Sequence, residues 1–224
     1  MKKFFMTLAC AVIALTASAQ RASSSSSSFF STEKVDLPVT FSIRGGLNVA
    51  SLSLEGIDTK SKAGFHAGVG VDFPILESFY VQSGLYYSMK GVKFDYTSSG
   101  EKFEDKLNIG YIEIPVLASY RYNFDDANQL QFNFGPYFAY GVHGKVKETA
   151  TYRGVSYEDD YGWFSNDGYV KGKRFDMGLQ LGLGVTLAKH FYVGVAYEFG
   201  LVNQVKDSNA TKNSNFMASV GYQF

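Results

Sequence analysis

The chain has 224 residues, its 21 Lys and Arg balance 21 Asp and Glu, and no long basic tract offers a nucleic-acid surface. A content of 16 Tyr, 20 Phe and 23 Gly against 4 Pro favours strands over helices. Cys10 is the only cysteine, which excludes a disulfide framework and, with Cys10 removed by processing, any thiolate site.

Residues 1–19 read as a secretory signal peptide. Met1-Lys2-Lys3 is a basic n-region, Phe4 to Ala17 is an apolar run too short to span a bilayer, and Ala17-Ser18-Ala19 is an A-x-A cleavage site. A lipid anchor at Cys10 would leave a very short apolar segment before it. Residues 20–38, with the serine run Ser23 to Ser28, read as a flexible leader.

From residue 39 to 224 the chain breaks into eight segments of period two, the signature of strands with two unlike faces. The first, at about 39–52, sets Phe41, Ile43, Leu47 and Val49 against Ser42, Arg44 and Asn48. The second, at about 64–73, opposes Phe65, Val69, Val71 and Phe73 to His66 and Asp72, and the third, at about 79–93, opposes Val81, Leu85, Tyr87 and Met89 to Gln82, Ser88 and Lys90. In the fourth, at about 107–122, Ile112, Ile114 and Val116 face away from Tyr111, Glu113 and Arg121. The fifth, at about 130–146, places Phe132, Phe134, Phe138, Tyr140 and Val142 opposite Gln131, Asn133, His143 and Lys145. Phe175 to Leu187 and Phe191 to Leu201 supply the sixth and seventh, and about 213–224 the eighth, ending on Phe216, Ala218, Val220, Tyr222 and Phe224.

The connections alternate long and short, as in an up-and-down barrel with tight turns at one rim and projecting loops at the other. Charges recur in mid-strand on the polar face: Arg44, Asp72, Lys90, Glu113, Arg121, Lys145, Arg174, Asp176 and Glu198. Such a face makes a costly dry core, whereas apolar side chains turned to lipid and charges turned to a lumen satisfy both sets. Ten residues tilted by about 45° rise roughly 24 Å, the height of an outer-membrane apolar band. Closure is then required, because backbone groups in lipid need internal partners. The fold class is therefore all-β: an eight-stranded antiparallel up-and-down transmembrane β-barrel in the outer membrane of a Gram-negative bacterium, monomeric and in contact with membrane lipid. Loop lengths place the termini and short turns in the periplasm. The nine charges are expected to form a polar network filling the lumen.

"IRGGLNVASL", "GFHAGVGVDFPI", "VQSGLYYSMKG", "YIEIPVLASYRY", "FNFGPYFAYG", "FDMGLQLGLGV" and "NFMASVGYQF", in that order over about residues 40–224, resemble the PorT-like outer membrane β-barrel family of Bacteroidetes. The resemblance implies a small outer membrane barrel; the namesake's association with a secretion apparatus does not pass automatically to every member. The C-terminal pattern of Phe216, Val220, Tyr222 and Phe224 resembles the signal read by the barrel assembly machinery during insertion.

Catalytic and metal patterns are missing from the sequence. His66, His143 and His190 stand in no metal-ligand spacing, and no G-x-S-x-G, P-loop or dinucleotide fingerprint occurs. The expectation is a non-enzymatic protein with no cofactor and no bound metal. One connection stands out, Lys147 to Gly172, about 26 residues long, with Tyr152, Tyr157, Tyr161, Trp163, Phe164 and Tyr169 among acids and small polar residues. Rigid aromatics suit a binding surface, and loops of this length are commonly functional. The competing reading is that part of it prolongs the flanking strands above the membrane. The expected role is binding of a protein or envelope ligand, or support of an envelope or secretion complex; a narrow transport barrel or a small membrane enzyme are the alternatives. Pro115 and Pro136 fall within strands, where a bulge would exchange inside and outside beyond it.

Overall fold

In the computed structural model the described residues are 37–53, 59–98, 101–152, 155–165, 172–205 and 211–224. The expected signal peptide, residues 1–19, and most of the expected leader lie outside the described residues. The described strands are β1 (Thr40–Ser53), β2 (Lys60–Leu76), β3 (Phe79–Ser98), β4 (Glu101–Asn123), β5 (Gln129–Tyr152), β6 (Val155–Gly162), β7 (Phe175–Leu187), β8 (Phe191–Asn203) and β9 (Lys212–Gln223). Eight close a ring through antiparallel neighbours, β1 pairing with both β2 and β9 and β4 with β5, so the barrel has no free edge within the membrane. The ninth, β6, pairs with the upper half of β5 from Lys145 to Tyr152, while β7 pairs with the lower half from Gln129 to Tyr140.

Alternation explains which face goes where. Phe41, Ile43, Leu47, Val69, Leu85, Phe134, Leu181, Val193 and Val220 are exposed, and Leu47 leaves 70% of its surface open. A belt of this size is untenable in water and is satisfied by acyl chains. Rings gather at the short-turn rim, where His190 stacks on Tyr222 at 5.2 Å and Phe79 meets Tyr120 at 5.3 Å.

Two departures from the expected pattern have local causes. First, strands run through regions that polarity marks as loops: β3 and β4 continue to Ser98 and from Glu101, and β5 and β6 form a hairpin in the long aromatic connection. At the base of the first extension the apolar face is already inward, with Leu107 and Ile109 buried and Lys106 and Asn108 on the other face. Second, the bulge expected at a proline lies elsewhere. Ile114 pairs with Phe138 and Ala118 with Phe134 in one register, so Pro115 and Pro136 exchange nothing. The shift comes where Gly110 pairs with His143 but Tyr111 pairs with Gly141, leaving Val142 as the extra residue. Gly141 faces inward below this bulge and Val146 above it, which turns His143 and Lys145 to the outside.

The β7–β8 turn, between paired Leu187 and Phe191, holds Ala188 at φ 49° and Lys189 at φ 65°, a left-handed pair built without glycine. His190 N donates to Leu187 O at 3.1 Å, and Lys189 N to Ala127 O at 2.7 Å, tying this turn to its neighbour. Asp125 caps that neighbouring turn, and its bonds from Asn128 and Ala127 hold its carboxyl below the usual carboxylate range. Placing an Asn-Gly pair in this turn, through Ala188→Asn with Lys189→Gly, is expected to stabilise the barrel by about 1–2 kcal/mol. A urea titration of the folded fraction on unheated gels checks it.

Candidate functional site: a closed lumen beneath a raised strand platform

Inward side chains fill the barrel in layers. Near the short-turn rim Asp72 receives Arg121 at 2.6 Å and Gln82 at 2.8 Å, and Arg44 lies at 3.9 Å while donating to Gln82 at 3.1 Å. Arg121 and Arg44 also cover the rings of Tyr80 and Tyr192, at 3.9 and 4.1 Å. Beside this layer His66 is held between Asn48 at 2.6 Å and Ser219 at 2.8 Å.

In the middle, the Lys90 ammonium bridges two carboxylates, Glu113 at 2.8 Å and Glu198 at 2.7 Å, with Asn215 donating to Glu198 at 3.0 Å. Tyr137 presents its ring to the same ammonium at 4.6 Å. Toward the long-loop rim Asp176 accepts from Gln204 at 2.9 Å and Asn213 at 2.8 Å, and Tyr111 donates to Gln204 at 3.1 Å. The buried charged set holds three cations, Arg44, Lys90 and Arg121, against Asp72, Glu113, Asp176 and Glu198. Asp72 lies against two cations, Lys90 against two carboxylates, and Asp176 is held by neutral donors.

Seven of the nine expected lumen charges are thus brought together inside the barrel. Lys145 and Arg174 are not. Lys145 is turned outward by the Val142 bulge and pairs with Asp160 of β6. Arg174 precedes β7 and stays exposed, donating to Gly141 O at 2.9 Å and lying 4.4 Å over Phe164.

Above the ionic layers an apolar plug closes the lumen, a feature the expected polar filling did not include. Leu52, Val92, Leu107, Ile109, Tyr111, Tyr137, Ala139, Val146 and Trp163 form one buried cluster. Trp163, expected to project as a binding aromatic, is 6% exposed. Its N donates to Gly144 O at 3.0 Å and its O accepts from Gly172 N at 3.1 Å, so the chain turns back over the mouth. A Cβ at Gly172 would overlap the indole and one at Gly141 would overlap Phe164, so the cap depends on bare backbone at these positions. Tyr161 is half-buried and donates to Glu148 at 2.8 Å; burial, then that bond, pushes its phenol up. Tyr157 remains 64% exposed. The Tyr152 side chain and Tyr169 lie outside the described residues.

The free space agrees with this filling. The interior cavity bounded by Arg44, His66, Glu113, Tyr192 and Met217 measures about 50 Å³, room for one or two waters. At the short-turn rim a wider vestibule of about 710 Å³, lined by Tyr80, Arg121, Asn128, Thr186 and Gln223, opens onto the lowest ionic layer. On the raised β5–β6 hairpin, Lys147 pairs with Glu158 at 2.8 Å and Lys145 with Asp160, a charged cross-strand surface on the face opposite to Tyr157. Among the described residues no His, Cys, Asp and Glu cluster has metal-binding arrangement.

A closed ring of tilted strands, apolar outside and charged inside, defines an outer membrane β-barrel protein. The model of the outer membrane protein beta-barrel domain matches residues 19–205, and the chain belongs to that family. Among solved structures it is similar to Ail, the attachment invasion locus protein of Yersinia pestis, at 16% identity over 84% of this chain and 100% of that one, with a TM-score of 0.42. It is also similar to OprG of Pseudomonas aeruginosa, at 14% identity over 83% and 95% of the two chains, TM-score 0.45. Neisserial surface protein A gives 14% identity over 83% and 97%, TM-score 0.42. No curated protein matches in sequence. The protein is located in the outer membrane.

Proposed function

We propose that this protein is a non-enzymatic, monomeric barrel, without cofactor, that carries a binding platform for a protein or envelope ligand. The observation behind this reading is the extension of β3, β4, β5 and β6 beyond the apolar belt as one continuous sheet, above a lumen filled by side chains. Regular paired strands hold Tyr157 and Asp159 on one face and Glu158 and Asp160 on the other in a fixed register, which lowers the ordering cost of contact. Support of an envelope or secretion complex would use the same platform. The finer kinship to PorT-like barrels of Bacteroidetes, and insertion by the barrel assembly machinery through the outward Phe216, Val220 and Phe224, belong to the same proposal. Transport would need a water path through three filled layers, and an enzyme would need a nucleophile and base converging at one rim.

The test is photo-cross-linking in intact cells from position 157, with position 193 on the lipid face as control. The expected result is a discrete adduct from 157 that is absent from 193 and is weakened when Glu158, Asp159 and Asp160 are replaced by serine. Identical patterns from both positions overturn the platform reading.

A further inference from the structure

The outward face of the platform's base carries lysines in register. Lys60 pairs with Lys93, Lys93 with Lys106, and Lys106 with Lys147, three consecutive like-charged pairs across β2 to β5. Residues paired in this way share a face, and that face is outward, because the adjoining Val92, Leu107 and Val146 are buried. Four strands at about 4.8 Å spacing make a ladder about 14 Å wide. One step closer to the membrane, Lys62 crosses Gly91 to donate to Asn108, which pairs with Lys145. Carboxylates offset part of this charge: Glu104 lies 2.7 Å from Lys106, and Glu158 and Asp160 pair with Lys147 and Lys145.

Directly opposed like charges repel across a sheet, and the carboxylates beside Lys106, Lys147 and Lys145 reduce that repulsion. Depth and orientation select the counter-charge. The rows begin just beyond exposed Phe65, Tyr140 and Val142, the upper edge of the apolar belt, and face the surrounding bilayer rather than the lumen. Clusters of four to eight lysines at headgroup level bind anionic lipid, and lysine serves phosphate as a mobile point charge.

We infer that the lysine ladder Lys60, Lys93, Lys106 and Lys147, with Lys62 and Lys145 beneath it, is a seat for the phosphate groups of outer-leaflet lipid. It fixes lipid beside β2 to β5 and thereby sets the height and tilt of the platform. The lipid seat stands apart from the proposed platform at Lys60, Lys62 and Lys93, whereas Lys145 and Lys147 are ion-paired to Asp160 and Glu158 of that platform.

Native mass spectrometry of the full-length barrel, titrated with bisphosphorylated lipid A or its dephosphorylated form, tests this. Lys60→Gln, Lys62→Gln and Lys93→Gln together are expected to weaken the phosphorylated lipid about 100-fold. Lys173→Gln, Lys189→Gln and Lys212→Gln together should change it less than about threefold, because those positions lie off the ladder. Unheated gel mobility confirms folding, and Lys93→Gln alone, expected to cost about fivefold, serves if the triple variant does not insert. Equal retention by ladder variant and wild type, retention indifferent to lipid phosphate, or inorganic polyphosphate binding as tightly as lipid would each overturn the assignment.

Discussion

Replacing Lys90 by Met is expected to destabilise the barrel by about 3–5 kcal/mol, and replacing the whole triad is expected to recover most of that loss. Lys90 is the shared partner of Glu113 and Glu198, with side-chain exposures of 1%, 4% and 0%. Removing it leaves two carboxylates facing each other without a cation in a filled lumen. A single site cannot show whether the lysine or the pairing matters. Lys90→Met with Glu113→Gln and Glu198→Gln removes all three charges at nearly constant volume, and buried ion sets replaced in this way are often neutral in cost. Asn215 now donates to the Glu198 carboxylate and would still donate to the amide oxygen that replaces it, so one hydrogen bond survives. Urea titration in liposomes, read by gel mobility, measures both variants. A triple variant as unstable as the single one would mean that the charges themselves hold the strands together.

Much of this interior was legible in the sequence because strand period two is strict wherever the ladder is unbroken. Asp72, Glu113, Arg121 and Glu198 could be assigned inward from their apolar neighbours alone, and their depth follows from mid-strand position. Lys145 escaped that logic because a single unpaired residue, Val142, exchanges the faces above it, and nothing in "AYGVHGKV" marks the bulge except glycines that also occur elsewhere. The proline positions suggested bulges where the register is in fact continuous, since the missing donors fall in short interruptions of the ladder. Trp163 escaped for another reason. Its composition suits a binding loop, but burial depends on Gly144 and Gly172 approaching from two different segments, a long-range coincidence with no local signature. The lysine ladder is similar: four residues separated by up to 87 positions in sequence, from Lys60 to Lys147, become neighbours only through the register.

Truncating the cap by Trp163→Ala is expected to cost about 3 kcal/mol and to loosen the upper plug while leaving the barrel closed to ions. The indole contributes to the apolar cluster of Leu52, Val92, Leu107 and Val146, so its loss opens a cavity at the mouth that water can enter from above. Below it the bridged Lys90 and the Asp72 layer are unaffected, because their partners come from the strands themselves. Two single-cysteine reporters separate these depths, in a chain whose only native cysteine is Cys10 of the predicted signal peptide. Val92→Cys lies in the plug and Ser88→Cys beneath Lys90, at 0% and 1% exposure. Labelling by a small maleimide should accelerate more than about tenfold at position 92 in the Trp163→Ala background and stay slow at 88, with no step conductance in planar bilayers. Rapid labelling at both positions together with conductance would mean that the cap alone gates a continuous water path, and the platform would then have to be read as the lid of a channel.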